Sequence, residues 1–388
     1  MRLVTIGRVT STKQHVVILG AGFGGLELAA RLSEAVPDAV QVTLIDQSDS
    51  FVFGYSKLDV MFGRKTMDSV RLHYRDIAKD AVEFRQEVVT SIDPVARRVV
   101  TDAGTYDADV LVVALGADLD PAATPGLVEG GHEFYTVDGA FALRDVLPTF
   151  DAGDAIIGVL GPFFKCPAAP FETAMMLHDL LVSRGKRDAT TIKVLSPMGM
   201  PIPISPEASA GILAGLADRD IEFWPESVVT SLDPATSTAT LRDGRAIPYD
   251  LFLGIPVHRA PAVVEASGLT VDGWIPVDHT TFATQFADVY AVGDITSAPV
   301  PRVGVIAEGE AGTVADVLIH RFRGGDAPDA YQGAATCYIE FGGAEVAKFD
   351  VNFLSGPTPT GRFSEPSLEL AAAKQDFGAT RRRRWFGA

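Results

Sequence analysis

The sequence predicts an α/β fold of two Rossmann-like dinucleotide-binding domains, the first split by the second, with a small C-terminal α+β domain. Three observations predict this fold. A glycine-rich turn joins a strand to a helix near the N-terminus, buried strands that end in glycine recur later, and 388 residues are too many for one core. The expected boundaries are 1–120 and 246–325 for the split domain, 121–245 for the inserted domain and 326–388 for the C-terminal domain.

Composition excludes several classes of protein. A hydrophobic content of 47% is enough to bury a core, so the chain as a whole is not disordered. The net charge of -17 repels phosphate backbones, so we expect no nucleic-acid partner. The chain has two cysteines, Cys166 and Cys337, which are too few for a secreted disulfide scaffold. We predict no metal site.

The chain termini bear on its location. No apolar run is long enough to span a membrane, and the first fourteen residues lack the features of a signal peptide, so we expect a cytoplasmic protein. Residues 374–388 carry a net charge of +4, which leaves -21 on the rest of the chain. The tail is therefore the part of the chain that an anionic surface could attract.

The first motif is a strand, a glycine turn and a helix. The apolar strand His15–Ile18 runs into Gly20, Gly22 and Gly25, which fit the spacing G-x-G-x-x-G, with Phe23 inside the turn. The first glycine permits the tight turn, the second admits a pyrophosphate to the backbone, and the third lets helix and strand approach. The helix N-terminus then offers free N–H groups to phosphate.

A second strand adds specificity to this motif. Val42–Ile45 ends in Asp46, and Gln47 follows. A carboxylate at that strand end can accept hydrogen bonds from both ribose hydroxyls of a dinucleotide. A glycine-rich turn in an unrelated α/β protein is the alternative interpretation of the first motif.

Two later strands also end in glycine. One ends in Leu115 and Gly116, and another, far downstream, ends in Gly293 and Asp294. With three motifs in this order, the chain resembles the pyridine nucleotide–disulfide oxidoreductase superfamily of flavoproteins over residues 15 to about 320. The resemblance implies FAD as cofactor, with Asp294 hydrogen-bonded to its ribityl chain. Lys57, after the second strand, is either a residue that approaches FAD or an ordinary surface charge.

The inserted domain lacks the second glycine motif that an NADH site requires. After the strand Ala155–Leu160 come Gly161, Pro162, Phe163, Phe164 and Lys165, which crowd the phosphate position. The next strand ends in Ser196, without the acid typical of NAD sites or the base typical of NADP sites. NAD(P)H is therefore not the expected electron donor, and binding of NADH through an atypical loop is the alternative.

The two cysteines lie at informative places. Cys166 directly precedes a predicted helix whose dipole can lower its pKa, although a buried inert cysteine is the common alternative. Cys337 lies in a short alternating strand. This Cys-Pro-x-x-Pro-aromatic-Glu stretch, with a second cysteine before an aromatic residue, looks like sulfide:quinone oxidoreductases and the flavoprotein subunit of flavocytochrome c sulfide dehydrogenases. That resemblance implies a redox pair of Cys166 and Cys337 at the flavin, with sulfide or a related sulfur species as donor.

The resemblance also implies a mechanism. Hydrosulfide opens the disulfide, one cysteine becomes a persulfide, and Cys337 is the thiolate that donates to the flavin. A helix predicted over Thr313–Ile319 would aim the N–H groups around Val305–Ala307 at the reduced flavin. Glu172 is either a proton carrier beside Cys166 or a first-turn acid that complements the helix dipole.

The electron acceptor implied by the resemblance is a quinone. The tail residues Arg381–Arg384, with Trp385 and Phe386, could contact the inner face of a membrane, or the tail could fold against its acidic body. A C-terminal interface domain is also compatible with a homo-oligomer. Two other functions are considered: a type II NADH:quinone dehydrogenase, and a non-enzymatic flavin redox sensor.

Overall fold

The computed structural model describes residues 13–387 of the chain. The expectation of no signal peptide therefore concerns residues that lie mostly outside this range. The strands, in chain order, are β1 (Gln14–Leu19), β2 (Val40–Asp46), β3 (Ser50–Phe51), β4 (Leu72–His73), β5 (Val82–Gln86), β6 (Val89–Asp93), β7 (Arg98–Thr101), β8 (Thr105–Asp107), β9 (Val110–Val113), β10 (Asp118–Asp120), β11 (His132–Glu133), β12 (Gly153–Val159), β13 (Thr190–Leu195), β14 (Ile221–Trp224), β15 (Val229–Asp233), β16 (Thr238–Leu241), β17 (Ala246–Pro248), β18 (Leu251–Ile255), β19 (Val257–Arg259), β20 (Val289–Ala291), β21 (Ala334–Gly342), β22 (Glu345–Asn352) and β23 (Thr360–Ser367).

Ten α-helices accompany these strands within residues 13–387. They are α1 (Phe23–Ala35), α2 (Gly54–Met61), α3 (Met67–Val70), α4 (Leu127–Gly130), α5 (Val137–Val146), α6 (Ala169–Ser183), α7 (Pro206–Ala217), α8 (Ala262–Ala266), α9 (Gly304–Arg323) and α10 (Leu368–Phe386).

The first sheet has five parallel strands in the order β20-β9-β1-β2-β5. The run Val16–Leu19 is fully buried, as expected for apolar β-branched residues in a parallel sheet that is covered on both faces. Helices α1 and α9 pack together, and their side chains share a core with β1 and β2. This sheet carries the first, second and last sequence motifs, so it brings distant segments of the chain to one edge.

The second sheet also has five parallel strands, in the order β11-β18-β12-β13-β14. The predicted α/β fold class is thereby confirmed. The inserted domain extends to Ile255, and the chain re-enters the first domain after that residue and not at residue 246 as predicted. The reason is that β17 and β18 pair with strands of the inserted domain. The antiparallel pair β10 and β19 places the two connections between the sheets side by side.

The C-terminal region is an antiparallel sheet of β21, β22 and β23 followed by α10. Strand β21 packs against α6 of the inserted domain and against α9 of the first domain. A residue in β21 is therefore held close to both dinucleotide-type domains.

Helix α9 begins at Gly304, well before the predicted start at Thr313. Its glycines lower intrinsic helix propensity, which is why the sequence pattern favoured a later start. Packing explains them, since a Cβ at Gly309 would lie 2.9 Å from the Tyr331 ring and one at Gly312 would lie 3.3 Å from Arg31. Close approach of neighbouring side chains thus outweighs the propensity cost.

The C-terminal tail is folded onto the first domain, and its proposed insertion into a membrane is wrong for the two aromatic residues. Trp385 is 1% exposed and Phe386 is 4% exposed, both within the core of the first domain. The Trp385 indole N–H and the Arg384 guanidinium both donate to Glu27, each at 2.9 Å. The positive tail therefore pairs with the acidic body, which was the alternative interpretation.

Helix α10 is long, but it is not apolar. Within the described part of the chain, no helix combines the length and the hydropathy that crossing a membrane would require. The predicted cytoplasmic location stays a prediction.

Candidate functional site

A cleft of about 490 Å³ opens at the carboxyl ends of β1, β2, β9 and β20. This is the edge where ligands of open parallel sheets bind, and the volume is typical of small-molecule sites. Among the residues predicted to bind the cofactor, the cleft is lined by Gly20, Gly22, Phe23, Asp46, Gln47, Leu115, Gly116, Gly293, Asp294 and Ala307.

The three glycines of the first motif differ in their surroundings. Gly20 has φ +96°, and a Cβ there would overlap the carbonyl of Ala114. A Cβ at Gly25 would overlap the carbonyl of Gly20, so only glycine lets α1 lie this close to the turn. Gly22 has open space around its Cα, which leaves room for a ligand at the backbone. This cradle fits a dinucleotide pyrophosphate.

Asp46 is fixed at the end of β2. Its two carboxylate oxygens accept hydrogen bonds from the N–H groups of Ala21 and Ser48, each at 2.8 Å. These bonds connect the second strand to the glycine turn and hold the carboxylate at the wall of the cleft. The remaining lone pairs are the ones that ribose hydroxyls would use.

The Gly293–Asp294 turn is held by a carboxyl that sequence reasoning missed. Gly293 has φ +81°, and its N–H donates to Glu310 of α9 at 2.5 Å. Glu310 is 1% exposed, and its other oxygen has no hydrogen-bond partner within residues 13–387. Burial raises the pKa of Glu310 to about 8. Asp294 lines the cleft, and burial raises the pKa of its carboxyl as well.

The N-terminus of α9 offers fewer free donors than predicted. The N–H groups of Ile306 and Ala307 both donate to the Val303 carbonyl, at 2.9 and 3.2 Å. The predicted donor set of Val305–Ala307 is therefore wrong in its last two members. Gly304 and Val305 supply the first-turn N–H groups that have no protein acceptor in the described structure.

A second cavity of about 260 Å³ adjoins the cleft and shares Phe23, Asp294 and Gly304 with it. Four predicted residues that are distant in sequence line this cavity together. They are Cys166, Cys337, Glu172 and Lys57.

The Cys166 loop is held from several sides. Cys166 has φ +53°, its N–H donates to the Arg302 carbonyl at 2.8 Å, and its own carbonyl accepts from Ala169 at 3.0 Å. The Tyr135 hydroxyl donates to the carbonyl of Lys165 at 2.8 Å. A non-glycine residue with positive φ persists when its surroundings fix it, and here they aim the thiol into the cavity.

Of the two interpretations of Cys166, the structure favours the buried cysteine over a thiolate stabilised by the helix start. Burial raises the pKa of the Cys166 thiol, and the charge of Glu172 raises it further, whereas the Ala169 N–H of the helix start opposes the shift weakly. Burial also raises the pKa of Cys337 to about 12. Both cysteines are free thiols in this structure, and the cavity favours their neutral forms.

Glu172 lies in the first turn of α6 and is 3% exposed. One of its carboxyl oxygens accepts the Glu340 N–H from β21 at 2.9 Å. Burial raises the pKa of Glu172, while the nearby Lys374 ammonium opposes that shift. Lys374 itself donates to the Glu340 carboxylate at 2.6 Å and lines the same cavity. Because Lys374 lies in α10, no local sequence signal could have assigned it to this site.

Lys57 lies in α2 and reaches the cysteine cavity, not the dinucleotide cleft. Its ammonium donates to the Tyr135 carbonyl. Burial, together with the charge of Lys165, lowers the pKa of Lys57 to about 8. Lys165 and Arg302 line the same cavity, and sequence reasoning did not identify either as a site residue.

The loop that replaces the nucleotide motif of the inserted domain is shaped to hold Cys166. Phe164 is buried in the core, Phe163 is 61% exposed, and the N–H of Lys165 donates to His258 at 3.3 Å. The other ring nitrogen of His258 donates to the Pro256 carbonyl, so this buried histidine supports the loop. Ser196 is buried and accepts the Met198 N–H, leaving no charge at that strand end.

Two parallel dinucleotide-type sheets, with a cysteine-lined cavity that opens from the first cleft, define a flavin-dependent oxidoreductase. The chain belongs to the pyridine nucleotide-disulphide oxidoreductase family, which matches residues 14–311. It is an FAD-dependent oxidoreductase of that family.

Similar proteins extend over most of the chain. A "Sulfide-quinone reductase" of Aquifex aeolicus is 26% identical over 85% of this chain and 81% of its own length. A mitochondrial "Sulfide:quinone oxidoreductase" of Mus musculus is 22% identical over 92% of this chain and 83% of its own length. The crystal structure of a sulfide:quinone oxidoreductase from Aquifex aeolicus has a TM-score of 0.86 at 22% identity, covering 96% of this chain and 92% of that one.

One type II NADH dehydrogenase is similar in sequence over a shorter stretch. A "Type II NADH:quinone oxidoreductase" of Staphylococcus epidermidis is 34% identical, but over only 32% of this chain and 32% of its own length. The fold is shared more widely, since the structure of NDH2 from Plasmodium falciparum has a TM-score of 0.73 at 13% identity and covers 97% of each chain.

Proposed function

We propose that this chain oxidises hydrosulfide at Cys166 and Cys337 and passes the electrons through FAD to a quinone. One observation carries the proposal: the two cysteines, 171 positions apart in sequence, line one cavity that shares Phe23, Asp294 and Gly304 with the dinucleotide cleft. The names of the relatives that match most of the chain support sulfide as donor and quinone as acceptor.

The reaction begins with the pair oxidised to a disulfide. Hydrosulfide attacks the Cys166 sulfur, so a new S–S bond forms on Cys166 as a persulfide while the old bond breaks and Cys337 leaves as a thiolate. Loss of the persulfide proton and of two electrons then joins the sulfurs of the two cysteines through the added sulfur atom. When bound in the cleft, FAD supplies the acceptor for those electrons and the route to the quinone.

The cavity sets the proton state of the released sulfur. Burial raises the pKa of Cys337 to about 12, so the sulfur that leaves the disulfide takes up a proton and must lose it again before it donates electrons. Cys337 lies in β21, which packs against a helix of each dinucleotide-type domain. These contacts hold Cys337 in place relative to the cleft.

Glu172 is the residue that we propose takes the proton of the persulfide. One carboxyl oxygen is committed to the Glu340 N–H, and the other is available to the cavity. Burial raises the pKa of Glu172, and the Lys374 ammonium limits that rise. The raised pKa brings the carboxyl closer to the range that is useful for proton transfer near neutral pH.

We also propose a smaller role for the tail at a membrane than the sequence implied. Trp385 and Phe386 are buried, and Arg381 and Arg384 pair with Glu308 and Glu27. Arg382 and Arg383 remain exposed. Two basic residues near an anionic leaflet contribute about 2 kcal/mol, which is half of what four would contribute.

Anaerobic titration of the oxidised holoenzyme tests the proposed donor. Sulfide should bleach the visible flavin band stoichiometrically, and a quinone analogue should restore it. NADH should leave the band unchanged, because the loop after β12 carries Pro162 and Phe163 where a pyrophosphate would bind. Bleaching by NADH with none by sulfide would make the chain a type II NADH dehydrogenase and overturn the proposal.

A cysteine variant tests the proposed route. Cys166→Ser should keep FAD but lose bleaching by sulfide, because no disulfide can form. Val182→Ser, on the exposed face of the same helix α6, is the matched control and should bleach as the unmodified enzyme does. If Cys166→Ser still bleaches at the normal rate, the cysteine route is wrong.

A further inference from the structure

Three cations meet at one end of the cysteine cavity, and hydrogen bonds to main-chain carbonyls fix each of them. Lys57 donates to the Tyr135 carbonyl, Lys165 to the Ala117 carbonyl at 2.9 Å, and Arg302 to the Asp294 carbonyl at 3.0 Å. The Arg302 guanidinium also stacks 3.9 Å from the centre of the Trp274 ring. These contacts set the positions of the charges without neutralising them.

Other cations of the chain are treated differently. Lys374, in the same cavity, pairs with Glu340 at 2.6 Å, and Lys193 pairs with Asp154 at 2.6 Å. Lys57, Lys165 and Arg302 form no salt bridge within residues 13–387. Uncompensated charge in a half-buried cavity is costly, so a ligand of opposite charge is expected there.

The carboxylates that act on these cations from a distance are Glu133 and Asp294. Glu133 already accepts the N–H groups of Tyr135 and Thr136 at the start of α5. The nearby His258 is held neutral, because burial and the charge of Lys165 lower its pKa to about 3. Glu172 also lines the cavity, but the charged groups that act on it are Lys374, Glu340 and Arg64. Around Lys57, Lys165 and Arg302, three cations against two carboxylates leave an excess of one positive charge, which one monovalent anion would neutralise.

We propose that Lys57 and Lys165 form a binding subsite for a small sulfur monoanion, hydrosulfide, beside Cys166. The proposal rests on the proposed function for the identity of the anion, but the subsite itself is defined by the charges. Lys57, Lys165 and Cys166 line the same cavity, so an anion held by the two ammonium groups lies in the space that the Cys166 thiol faces.

Azide is a suitable probe, because it is a monovalent anion that does not reduce the flavin. In the oxidised holoenzyme, azide should perturb the visible flavin spectrum in a saturable way, at constant ionic strength. Lys57→Met and Lys165→Met should each weaken azide about 10-fold or more, since each removes one charged partner. Lys165→Arg keeps the charge and should keep most of the binding. Lys193→Met, distant from the cavity, is the matched control and should change nothing.

Two readouts separate this subsite from other roles of the lysines. If both Met variants shift the flavin midpoint potential while azide affinity is unchanged, the charges serve the flavin and the proposal is overturned. Unchanged azide affinity in both Met variants with an unchanged potential also overturns it. Should Lys57→Met lose FAD, the pair Lys165→Met and Lys165→Arg gives the same test.

The proposed function and the subsite can fail separately. Cys166→Ser should still bind azide, although it cannot be reduced by sulfide. If azide binds as expected but sulfide does not bleach the unmodified enzyme, the anion subsite stands and sulfide oxidation is wrong. If Cys166→Ser loses azide while the lysine variants keep it, the thiol and not the ammonium groups forms the site.

Discussion

Burial decides the proton state of the residues that line the cysteine cavity. It raises the pKa values of the Glu172 carboxyl and of the thiols Cys166 and Cys337, and it lowers the pKa of the Lys57 ammonium. In each case the environment disfavours the charged form. Sulfide oxidation in such a site passes through neutral and charged forms of sulfur. These pKa shifts therefore affect each proton transfer in the cavity.

The residue Glu172 gives the first prediction at this scale. Glu172→Gln should slow flavin reduction by sulfide about 100-fold near neutral pH, because general acid–base catalysis is lost. Glutamine can still accept the Glu340 N–H, so folding and FAD content should be retained. Stopped-flow reduction measures the effect. Glu207→Gln, a first-turn glutamate of α7 that accepts the Phe363 N–H, is the control, and an unchanged rate in Glu172→Gln would exclude the proposed role.

Glu310 gives a prediction about stability and pH. Its pKa of about 8 in the folded chain lies above the value of 4.5 for an ordinary glutamate. The folded state therefore binds more protons than the unfolded state, and stability falls as the pH rises from about 4.5 to about 8. Glu310→Gln removes this loss and still accepts the Gly293 N–H.

The measurement is urea unfolding of both holoenzymes across that pH range. Relative to the unmodified enzyme, Glu310→Gln should gain about 2 to 4 kcal/mol at the alkaline end and little at the acid end. A difference in unfolding free energy that does not change with pH would show that Glu310 is ionised in both states.

At the scale of elements, α10 acts as a clasp between the C-terminal sheet and the first domain. Ser367 caps its start, and Trp385 near its end packs edge-on against the Phe23 ring at 5.5 Å between ring centres. Phe23 belongs to the glycine turn and lines both cavities. The far end of the chain therefore supports the loop that faces the cofactor, and this is why the tail aromatics are buried.

The clasp predicts an effect of Trp385 on cofactor retention. Trp385→Ala should lower the unfolding free energy by about 3 to 5 kcal/mol, because it leaves a large cavity and removes one of the two donors to a Glu27 oxygen. It should also release FAD faster in a dilution assay. Leu368→Ala, at the exposed start of the same helix, should stay within about 0.5 kcal/mol of the unmodified enzyme. Equal effects of the two variants would contradict the clasp.

At the scale of the whole molecule, one ion network joins three parts of the chain at the cysteine cavity. Glu340 of β21 pairs with Lys374 of α10 at 2.6 Å and with Arg64, which follows α2, at 2.9 Å. The Glu340 N–H in turn donates to Glu172 of α6. The position of Glu172 and its pKa thus depend on the assembly of all the domains.

Lys374 tests this coupling. In Lys374→Met the cation that lowers the pKa of Glu172 is removed, so that pKa should rise further. The pH dependence of flavin reduction by sulfide should then move to higher pH, since the base must be ionised to accept a proton. Removing one partner of a buried ion pair should also cost about 3 kcal/mol of stability. Loss of stability with an unshifted pH profile would limit Lys374 to a structural role. Lys193→Met, which removes one partner of the Asp154 pair outside the cavity, is the control.

Sequence patterns located the residues that depend on local geometry. Gly20, Gly25 and Asp46 were predictable because a turn, a close approach and a strand end each demand one residue type. Lys57, Lys165, Arg302 and Lys374 carry ordinary side chains on four separate segments, and no periodicity marks them. For the same reason the sequence left two interpretations of Cys166 open, and the structure favours the buried cysteine because burial by distant segments outweighs the helix start that follows it in sequence.

The sequence by itself determined the two parallel sheets, the cleft at their glycine turns and the two cysteine positions, because strand periodicity and glycine spacing act over a few residues. Only the tertiary structure decided that the basic tail packs onto the first domain and that one cavity collects both cysteines, Glu172 and four cations. Those outcomes depend on contacts between residues that are hundreds of positions apart, such as Glu27 with Trp385, where burial and charge pairing fix the result.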